Sequence, residues 1–600
     1  MHHFITVLAV LLAAGTPEGK ELQDTLQTST VTAQRGITVS RNDVVHIEKS
    51  QTVADALQMF PTLQVSDIGG AAGLKTAGLR GLGSAHTGIF IDGIRVGNLQ
   101  SGQTDLGILP MDTFGAATVD YAQNSISFTT AAPVFRTNDR IAGRAGVKGG
   151  SFGTWQPSAR VDWRLTERTA LSASASGTVS RGDFVYGDGL RREGNDISQW
   201  RGGLDAFGRI EGGEWRAKAF AGIADRGTPG SISWPSDDRQ KDRNAFVQSS
   251  FNKRFGSYTL GMAAKASYDY IFYHSSWGDS EYGQKELQLN SSHLLRVTDR
   301  LTASVRTELQ WDGLRSDYYD ADRLRGDVAA GAAFKAGIFS ADASLEWVGA
   351  FDKGHDSRTA LEPSLDMRLT VAEGLDLVAF GRRAYRIPTF NELYYAGYGN
   401  PDLLCEDAWL SDAGIEWLRT VGGWTLNAKV NGFLYALDNK IMSAPSEADP
   451  NVWLPYNIGK VLSKGLDSML SGRWSKGGRT VGLTARYSLL DAIDKTPDSY
   501  TYGQQVPYAA RHSVVVTGLF EWSGWSLSSA FNLRSGRMDS YGAMPDWHTL
   551  DATLARSLAI AGGEAVVSLS GKNLTNRAYE LSSGYPMPGR AVMAGIEIIF

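Results

Sequence analysis

The amino-acid sequence predicts a mainly β protein: an antiparallel transmembrane β-barrel of about 22 strands, with an N-terminal α+β plug domain inside the lumen. Three observations carry this prediction. Apolar and polar residues alternate from about residue 140 to the C-terminus, Gly-Gly pairs separate the alternating segments, and the last strand ends on an aromatic residue. Strands with one apolar and one polar face suit a barrel whose outside contacts lipid and whose inside is wet.

Composition narrows the class of protein further. A chain of 600 residues is too long for one ordinary soluble core, and no segment reaches the roughly 18 apolar residues that a membrane helix needs. The net charge of −5 gives no basic footprint for nucleic acid, and the single Cys405 excludes an intramolecular disulfide framework. Serine-hydrolase, zinc-protease and P-loop motifs are missing from the sequence, so an enzyme is not expected.

The N-terminus predicts export. Phe4–Gly15 is an apolar run with the length of a signal-peptide core, although His2 and His3 precede it instead of Lys or Arg. A buried N-terminal strand or helix is the alternative. The predicted division of the chain is a signal peptide (1–20), a linker with an energy-coupling box (21–39), a plug domain (40–138) and a barrel (139–600).

The plug prediction rests on segments that do not resemble barrel strands. Thr52–Met59 places apolar residues on one side of a short helix, whereas Ile89–Ile91 and Ala117–Val119 are typical of short buried strands. A barrel of about 22 strands has a wide lumen, so a compact domain of this size suits the role of a plug.

The barrel prediction rests on strands such as Ala170–Ser180, in which apolar residues and serines occupy opposite faces. About 21 residues are available for each of about 22 strands, enough for the roughly 9–11 that cross a bilayer and a connection. Longer polar segments, including Ser231–Asp242, Phe272–Gly283 and Tyr394–Leu410, are predicted to be loops at the end opposite the Gly-Gly turns. A soluble β-propeller is the alternative, but no blade repeat of roughly 40–50 residues is visible.

Several motifs together resemble the TonB-dependent outer-membrane transporters. The plug pattern corresponds to Leu79–Gly97, an energy-coupling TonB box to Asp24–Ala33, and the barrel signature to Tyr385–Tyr395 with Gly399–Leu403 after it. The alternating terminal strand that ends at Phe600 completes the likeness, which covers residues 24–600. The resemblance implies a bacterial outer-membrane protein surrounded by lipid, and a terminal strand that closes the barrel and is read by the assembly machinery.

Two segments depart from the family pattern. The second half of the plug usually contains an Arg-Gly-Pro stretch and a Tyr-Gly pair, but here Val119–Phe135 has neither, so this part could pack or gate differently. The family's usual Lys-Pro-Glu is Leu404-Cys405-Glu406 in this chain, and we interpret Cys405 as a small packed hydrophobe.

The resemblance assigns roles to the segment before the plug. It implies that the TonB box pairs as an added strand with the periplasmic protein TonB, which is driven by its inner-membrane energising complex. The residues predicted to bind TonB are Thr28, Ser29, Thr30, Val31 and Thr32. A disordered linker is the alternative.

Within the plug pattern, Arg80 and Asp92 are candidates for buried charges between plug and barrel wall, where an ion pair would act as a latch. The alternative is that Arg80 and Gly81 only shape a turn. Gly93 is expected in the hairpin turn after Ile89–Ile91.

Ligand-binding residues are sought in plug loops and beside the barrel signature. The predicted set contains polar plug residues and signature tyrosines: Arg95, Asn98, Gln100, Gln103, Tyr394, Tyr395 and Tyr398. Other loop aromatics, such as Trp234 and Trp277, are expected in the interfacial girdle or at the ligand. No cofactor is required, although Asp317, Asp320 and Asp322 could supply oxygen ligands to Ca²⁺; a solvated acidic loop is the alternative.

The function implied by the resemblance is active import of a scarce nutrient. The plug pattern and the short chain are similar to the vitamin B12 (cobalamin) branch. A surface lipoprotein that caps the barrel is a further candidate partner of this chain. A ferric siderophore is the first alternative ligand and haem the second, with His274 and His355 as possible loop ligands. A passive porin would lack both the plug and the TonB box.

Overall fold

The computed structural model describes residues 42–46, 52–109, 113–136, 138–447, 449 and 451–600. The predicted signal peptide and the predicted TonB-binding residues Thr28–Thr32 lie outside these ranges. No helix in the described part of the chain is long and apolar enough to span a membrane.

The N-terminal domain is a small α+β unit, as predicted. Its main sheet has five strands in the order β1 (Asn42–His46), β6 (Phe114–Asp120), β7 (Ser125–Thr130), β4 (Gly88–Ile91) and β5 (Ile94–Val96). A hairpin of β2 (Leu63–Asp67) and β3 (Lys75–Leu79), the helix α1 (Val53–Leu57), and 3-10 turns at Ser84–His86 and Leu106–Ile108 complete it.

Local chemistry explains α1. Thr52 and Asp55 cap the helix reciprocally, because the amide of Asp55 donates to Thr52 Oγ1 at 3.1 Å and that of Thr52 to Asp55 Oδ2 at 3.0 Å. Ala56 and Leu57 on its inner face are fully buried. The predicted helix within Thr52–Met59 is therefore confirmed.

The rest of the chain forms a closed barrel of 22 antiparallel strands around this domain, which confirms the predicted fold. The barrel strands are β8 (Ile141–Gly150), β9 (Thr154–Thr166), β10 (Thr169–Ser180), β13 (Ile197–Ile210), β14 (Gly213–Ser231), β15 (Trp234–Phe255), β16 (Tyr258–Ser275), β17 (Gly278–Arg296), β18 (Leu301–Ser316), β19 (Asp320–Ala336), β20 (Phe339–Asp352), β21 (Arg358–Ala372), β22 (Leu375–Arg386), β23 (Glu406–Val421), β24 (Trp424–Pro445), β25 (Trp453–Lys476), β26 (Arg479–Asp494), β27 (His512–Trp522), β28 (Trp525–Ser535), β31 (Trp547–Ile560), β32 (Gly563–Lys572) and β33 (Ala591–Ile599). Loop elements are the hairpins β11 (Val185–Tyr186)–β12 (Leu190–Arg191) and β29 (Arg537–Met538)–β30 (Ala543–Met544), the helix α2 (Phe390–Tyr394) and a 3-10 turn at Ser151–Gly153.

Two predicted loops are strands instead. Most of Ser231–Asp242 belongs to β14 and β15, joined by residues 232–233, and most of Phe272–Gly283 belongs to β16 and β17, joined by residues 276–277. These four strands have 18 to 22 residues, about twice the roughly 9–11 that a bilayer requires. Their outer halves, which are rich in Asp, Ser, Tyr and Trp, continue the hydrogen-bonded ladder beyond the lipid, where a uniform apolar face is not needed.

The terminal strand closes the barrel. β33 pairs with β32 on one side and with the first strand, β8, on the other. The pairing extends to Phe600, whose amide donates to the carbonyl of Gly143 at 3.0 Å and whose carbonyl accepts from the Gly143 amide at 2.8 Å. Val592, Ile596 and Phe600 are exposed on the outer face, as the alternation predicted.

Deleting Phe600 is expected to lower the amount of folded protein in the outer membrane severalfold, because it removes the last bridge between the first and last strands. The ring also covers Gly143, where a Cβ would lie 2.8 Å from a ring carbon. Heat-modifiable mobility of outer-membrane fractions measures the folded amount, with Phe600→Tyr as an aromatic control. Equal folded amounts in the deletion and the control would refute an assembly role for this residue.

Candidate functional site

Arg80 anchors the plug to the barrel wall. It follows β3 with φ at 48°, and Gly81 continues the turn with φ at 81°. The side chain is almost fully buried, and its Nη2 lies 2.8 Å from Asp412 Oδ2 and 2.5 Å from Asp467 Oδ2. Arg80 is therefore both a turn residue and a buried charge at the barrel wall, because the turn directs its guanidinium towards the wall.

Aromatic groups complete the surroundings of Arg80. Nη1 donates to the Tyr435 hydroxyl at 2.7 Å. The guanidinium carbon lies 4.4 Å from the centroid of the Tyr121 ring and 4.0 Å from that of Phe433. Cation–π contacts of this kind gain strength where water is excluded, so the cluster is a dry, charged anchor.

Asp92 forms a second anchor, separate from the first. It occupies the β4–β5 turn with φ at 50°, followed by Gly93 at 84°. Its carboxylate lies 2.8 Å from Arg216 Nη1 and 3.7 Å from Lys218 Nζ, both on β14. Burial alone would raise the pKa of Asp92, but these cations and the donors of Thr130 hold it below its usual value. Arg80 and Asp92 thus pair with the barrel rather than with each other.

A large cavity lies at the end of the barrel opposite the Gly-Gly turns, with a volume of about 1090 Å³. Its floor is formed by plug loops that include the predicted residues Asn98, Gln100 and Gln103, and its wall by β14–β17. Trp234 and Trp277 stand at its mouth, 79% and 93% exposed. We call this space the outer cavity.

The charge of the outer cavity is biased towards carboxylates. Five aspartates line it but only three Lys or Arg side chains. Arg226 pairs with Asp105 at 2.7 Å and with Asp242 at 3.1 Å, and Lys265 pairs with Glu286 at 2.9 Å. Little cationic charge is therefore left for an anionic ligand.

The plug segment that follows β5 separates the outer cavity from a second cavity. An inner cavity of about 340 Å³ lies between the plug and strands β16–β23, and the predicted residue Arg95 lines it. Val96, Gly97, Asn98 and Thr104 line both cavities. Residues 96–104 therefore form a partition between the two cavities, which a ligand would meet on its way inwards.

The predicted tyrosines line neither cavity. The Tyr394 hydroxyl, on α2, donates to Asp352 Oδ2 at 2.5 Å. Tyr395 stacks on Tyr318 with a centroid distance of 4.9 Å, and partial burial raises its pKa to about 12. Tyr398 shares a 2.7 Å hydrogen bond with Ser443. These contacts tie the barrel-signature loop to neighbouring strands, so they favour a structural role.

The carboxylates proposed for calcium do not converge on a cation site. Asp322 accepts from Arg315 Nη2 at 2.8 and 3.0 Å, and Asp320 lies 3.8 Å from Arg315 Nε. Asp317 accepts from the amide of Glu281 at 2.8 Å. Over the described ranges, no group of three or more His, Cys, Asp or Glu side chains is arranged to hold a metal ion. Arg315 thus lies beside two of the three carboxylates.

Sequence reasoning left out several residues of the site. Arg226 and Asp105 join the wall of the outer cavity to its floor, and His86 of the plug contacts Glu406 of β23, which also binds Arg386 at 2.6 Å. Asp105 and Arg226, like His86 and Glu406, are far apart in the chain. Only the positions of Arg386 within the barrel signature and of Glu406 after it could have pointed to any of these contacts.

Comparison with known proteins agrees with this architecture. Residues 178–574 match the family model described as "TonB dependent receptor-like, beta-barrel", and residues 24–133 match the "TonB-dependent Receptor Plug Domain".

Individual relatives share little sequence identity with this chain. The vitamin B12 transporter BtuB of Vibrio vulnificus (strain YJ016) is 22% identical over 537 residues, which cover 83% of this chain and 81% of that protein. Among solved structures, the copper transporter OprC superimposes with a TM-score of 0.77 at 14% identity, covering 93% of this chain and 99% of that one. The siderophore receptor PirA from Acinetobacter baumannii gives 0.76 at 12% identity, with 95% and 100% covered. At these identities the two structures demonstrate a shared fold.

Proposed function

The chain belongs to the TonB-dependent receptors of the bacterial outer membrane, and on this premise we propose that it imports vitamin B12 or a related corrinoid into the periplasm. In this proposal the ligand binds in the outer cavity, and TonB, driven by the proton gradient of the inner membrane, moves the plug. A surface lipoprotein that caps the rim belongs to the same proposal.

The charge of the outer cavity is the observation that carries the choice of ligand. Ferric catecholates are anions and would need free Lys or Arg side chains. Here Arg226 and Lys265 are already paired with carboxylates, and Arg243 lies over the ring of Tyr270 at 5.7 Å. A corrinoid presents a bulky, mostly uncharged surface rich in carboxamides, which amide and tyrosine groups can bind without a net positive field.

The relatives support the same choice. A curated relative that aligns over most of the chain is named a vitamin B12 transporter. A ferric siderophore is the second candidate, because siderophore receptors share the fold.

Purified protein is expected to bind cyanocobalamin with a dissociation constant in the nanomolar range, and ferric catecholate, ferric citrate and haem much more weakly. Trp277→Ala should weaken cobalamin binding about tenfold, because aromatic residues at a binding site commonly contribute this much. Isothermal titration calorimetry measures both effects.

Trp453→Ala is the matched control, since Trp453 is 55% exposed at the same end of the barrel but lines neither cavity. Absence of cobalamin binding at micromolar concentrations, together with tight binding of an iron chelate, would replace the corrinoid by a siderophore.

A further inference from the structure

The outer surface of the barrel is recessed on the side of strands β13–β18. A groove of about 970 Å³ lies there, and we call it the lipid-side groove. Its lining includes Leu204 and Leu287, which are 62% and 55% exposed, so the groove opens outwards. Ala219, Ala264 and Ala266 lie between these leucines. Because alanine is the shorter side chain, the wall forms an apolar trough.

Strand pairing determines which residues lie above the groove, towards the outer end of the barrel. Val247 on β15 and Leu287 on β17 lie at its upper edge. Outward-facing residues alternate along each strand, so the next one after Leu287 is Lys285, which lies opposite Tyr268 of β16. Arg243 lies two outward positions beyond Val247 on β15. Both cationic side chains are exposed on the outside of the barrel.

Arg243 lies at the height of the lipid headgroups. About a dozen residues separate it from Phe255, where β15 ends away from the outer cavity. With a rise of ~3.3 Å per residue and a tilt of ~40°, this segment spans about 30 Å, whereas the apolar band of such a barrel is ~25 Å tall. Lys285 is at a similar distance from Arg296, the end of β17. Both charges therefore lie just beyond the hydrocarbon.

Neither cation faces a carboxylate across the sheet. The residues directly opposite them on the neighbouring strands are uncharged: Ile223 and Tyr270 beside Arg243, and Tyr268 and Gly313 beside Lys285. In the part of the chain that the structure describes, neither side chain forms an ion pair. The guanidinium of Arg243 instead lies over the ring of Tyr270, 5.7 Å from its centroid. Two uncompensated positive charges thus stand above the groove.

Outward carboxylates of the same strands lie farther from the lipid. Asp225 and Glu281 are one outward position beyond the row of Arg243. Asp225 is paired with Arg239 at 2.7 Å and lies 4.0 Å from Lys241. The rows next to the lipid are therefore positive, and the acids belong to the row above them.

Exposed cations on another part of the wall are compensated. Lys464 on β25 lies directly opposite Asp491 of β26. Arg511, which precedes β27, pairs with the same carboxylate at 2.8 Å. The absence of such a carboxylate beside Arg243 and Lys285 leaves them available for an anion from outside the protein.

We propose that this face binds a phosphate-bearing lipid of the outer leaflet, with its phosphate at Arg243 and Lys285 and its acyl chains in the lipid-side groove. Phosphate oxygens form strong charge-assisted hydrogen bonds with Arg and Lys, and basic side chains beside an apolar surface attract anionic lipids. The site lies outside the lumen, so it does not depend on which nutrient the protein imports. The bound lipid covers the outside of β15–β17, whose inner face forms the wall of the outer cavity.

Native mass spectrometry of the full-length protein in detergent tests the phosphate contacts. The probes are dioleoylphosphatidylglycerol and dioleoylglycerol, which has the same acyl chains but no phosphate. We expect Arg243→Gln/Lys285→Gln to bind dioleoylphosphatidylglycerol about tenfold more weakly than the wild type, the effect of losing one or two charge-assisted hydrogen bonds. Binding of dioleoylglycerol should be the same in both proteins.

Lys464→Gln/Arg511→Gln is the matched control, because it also removes two exposed cations from the outer part of the wall, but beside a carboxylate. Its affinity for dioleoylphosphatidylglycerol should equal that of the wild type. An equal loss in the control would mean that only the total charge of the protein matters. Wild-type affinity in Arg243→Gln/Lys285→Gln would overturn the phosphate site directly.

Filling the groove tests the acyl-chain contacts without changing charge. Ala266→Trp should weaken the binding of both lipids about tenfold, because it removes room for apolar contact. Ala330→Trp is the control, since Ala330 is exposed on β19 but does not line the groove. Unchanged lipid binding in Ala266→Trp would overturn the groove as the acyl-chain site. A wild-type dimer that Ala266→Trp converts to monomers would show that a second copy of the chain covers the groove instead of a lipid.

Discussion

Replacing Arg80 with methionine is expected to weaken the docking of the plug by about 3–5 kcal/mol, the usual result of removing one partner from a buried ion pair. The substitution leaves Asp412 and Asp467 inside the barrel without their cation, and it removes a cation held over two aromatic rings. Asn431 and Ser488 still donate hydrogen bonds to Asp412 and Asp467 respectively, but a neutral donor does not replace the cation beside a buried carboxylate.

Hydrogen exchange read by mass spectrometry measures the effect. Amides of β2 and β3, directly before Arg80, should exchange faster in the variant by a factor of about a hundred or more, which corresponds to the expected loss of free energy. Barrel strands far from the cluster, such as β18 and β19, serve as an internal reference and should keep their protection.

A compensated variant tests the cause. Arg80→Met combined with Asp412→Asn and Asp467→Asn removes the unpaired charges, so it should recover most of the lost protection. Unchanged exchange in Arg80→Met itself would mean that the cluster does not hold the plug and that Arg80 acts mainly through the shape of its turn.

The sequence predicted the structure best where the surroundings of a strand impose a strict alternation of apolar and polar residues. A barrel strand meets lipid on one side and the lumen on the other, so residues such as Val592 and Ile596 must alternate with polar ones. The fold, the closing strand and the short helix α1 could be predicted for this reason, since each leaves a local pattern. The plug could be recognised because its hydrophobic residues lack that alternation.

Other features leave no local pattern. The outer halves of β14–β17 contact water on both sides. Their sequences therefore lack the alternation of a membrane strand and predict loops instead. The partners of Arg80 lie more than 300 residues away, and a carboxylate on a strand gives no sign that it will meet the plug. The signature tyrosines were assigned to the ligand from their position in the motif, whereas the fold uses Tyr394 to hold Asp352.

Deleting residues 24–33 is expected to abolish uptake of the ligand and to leave its binding unchanged. The segment lies outside the described residues, and its role is a prediction from its resemblance to a TonB box. Strand addition to TonB relies on backbone hydrogen bonds, so a single Val31→Pro exchange, which removes a backbone donor, should reduce uptake nearly as strongly as the deletion. Uptake of radiolabelled ligand by whole cells measures transport, and calorimetry on the purified protein measures binding.

Val31→Thr is the matched control, because threonine keeps both the backbone donor and the preference for a strand. The comparison also distinguishes active import from passive flow. The inner cavity has about one third of the volume of the outer one, so a ligand that fills the outer cavity cannot follow without movement of the partition, and the proposed function assigns the work for that movement to TonB. Uptake that persists in both the deletion and Val31→Pro would mean that the plug moves without TonB. The protein would then be a passive porin with a mobile plug rather than an energised transporter.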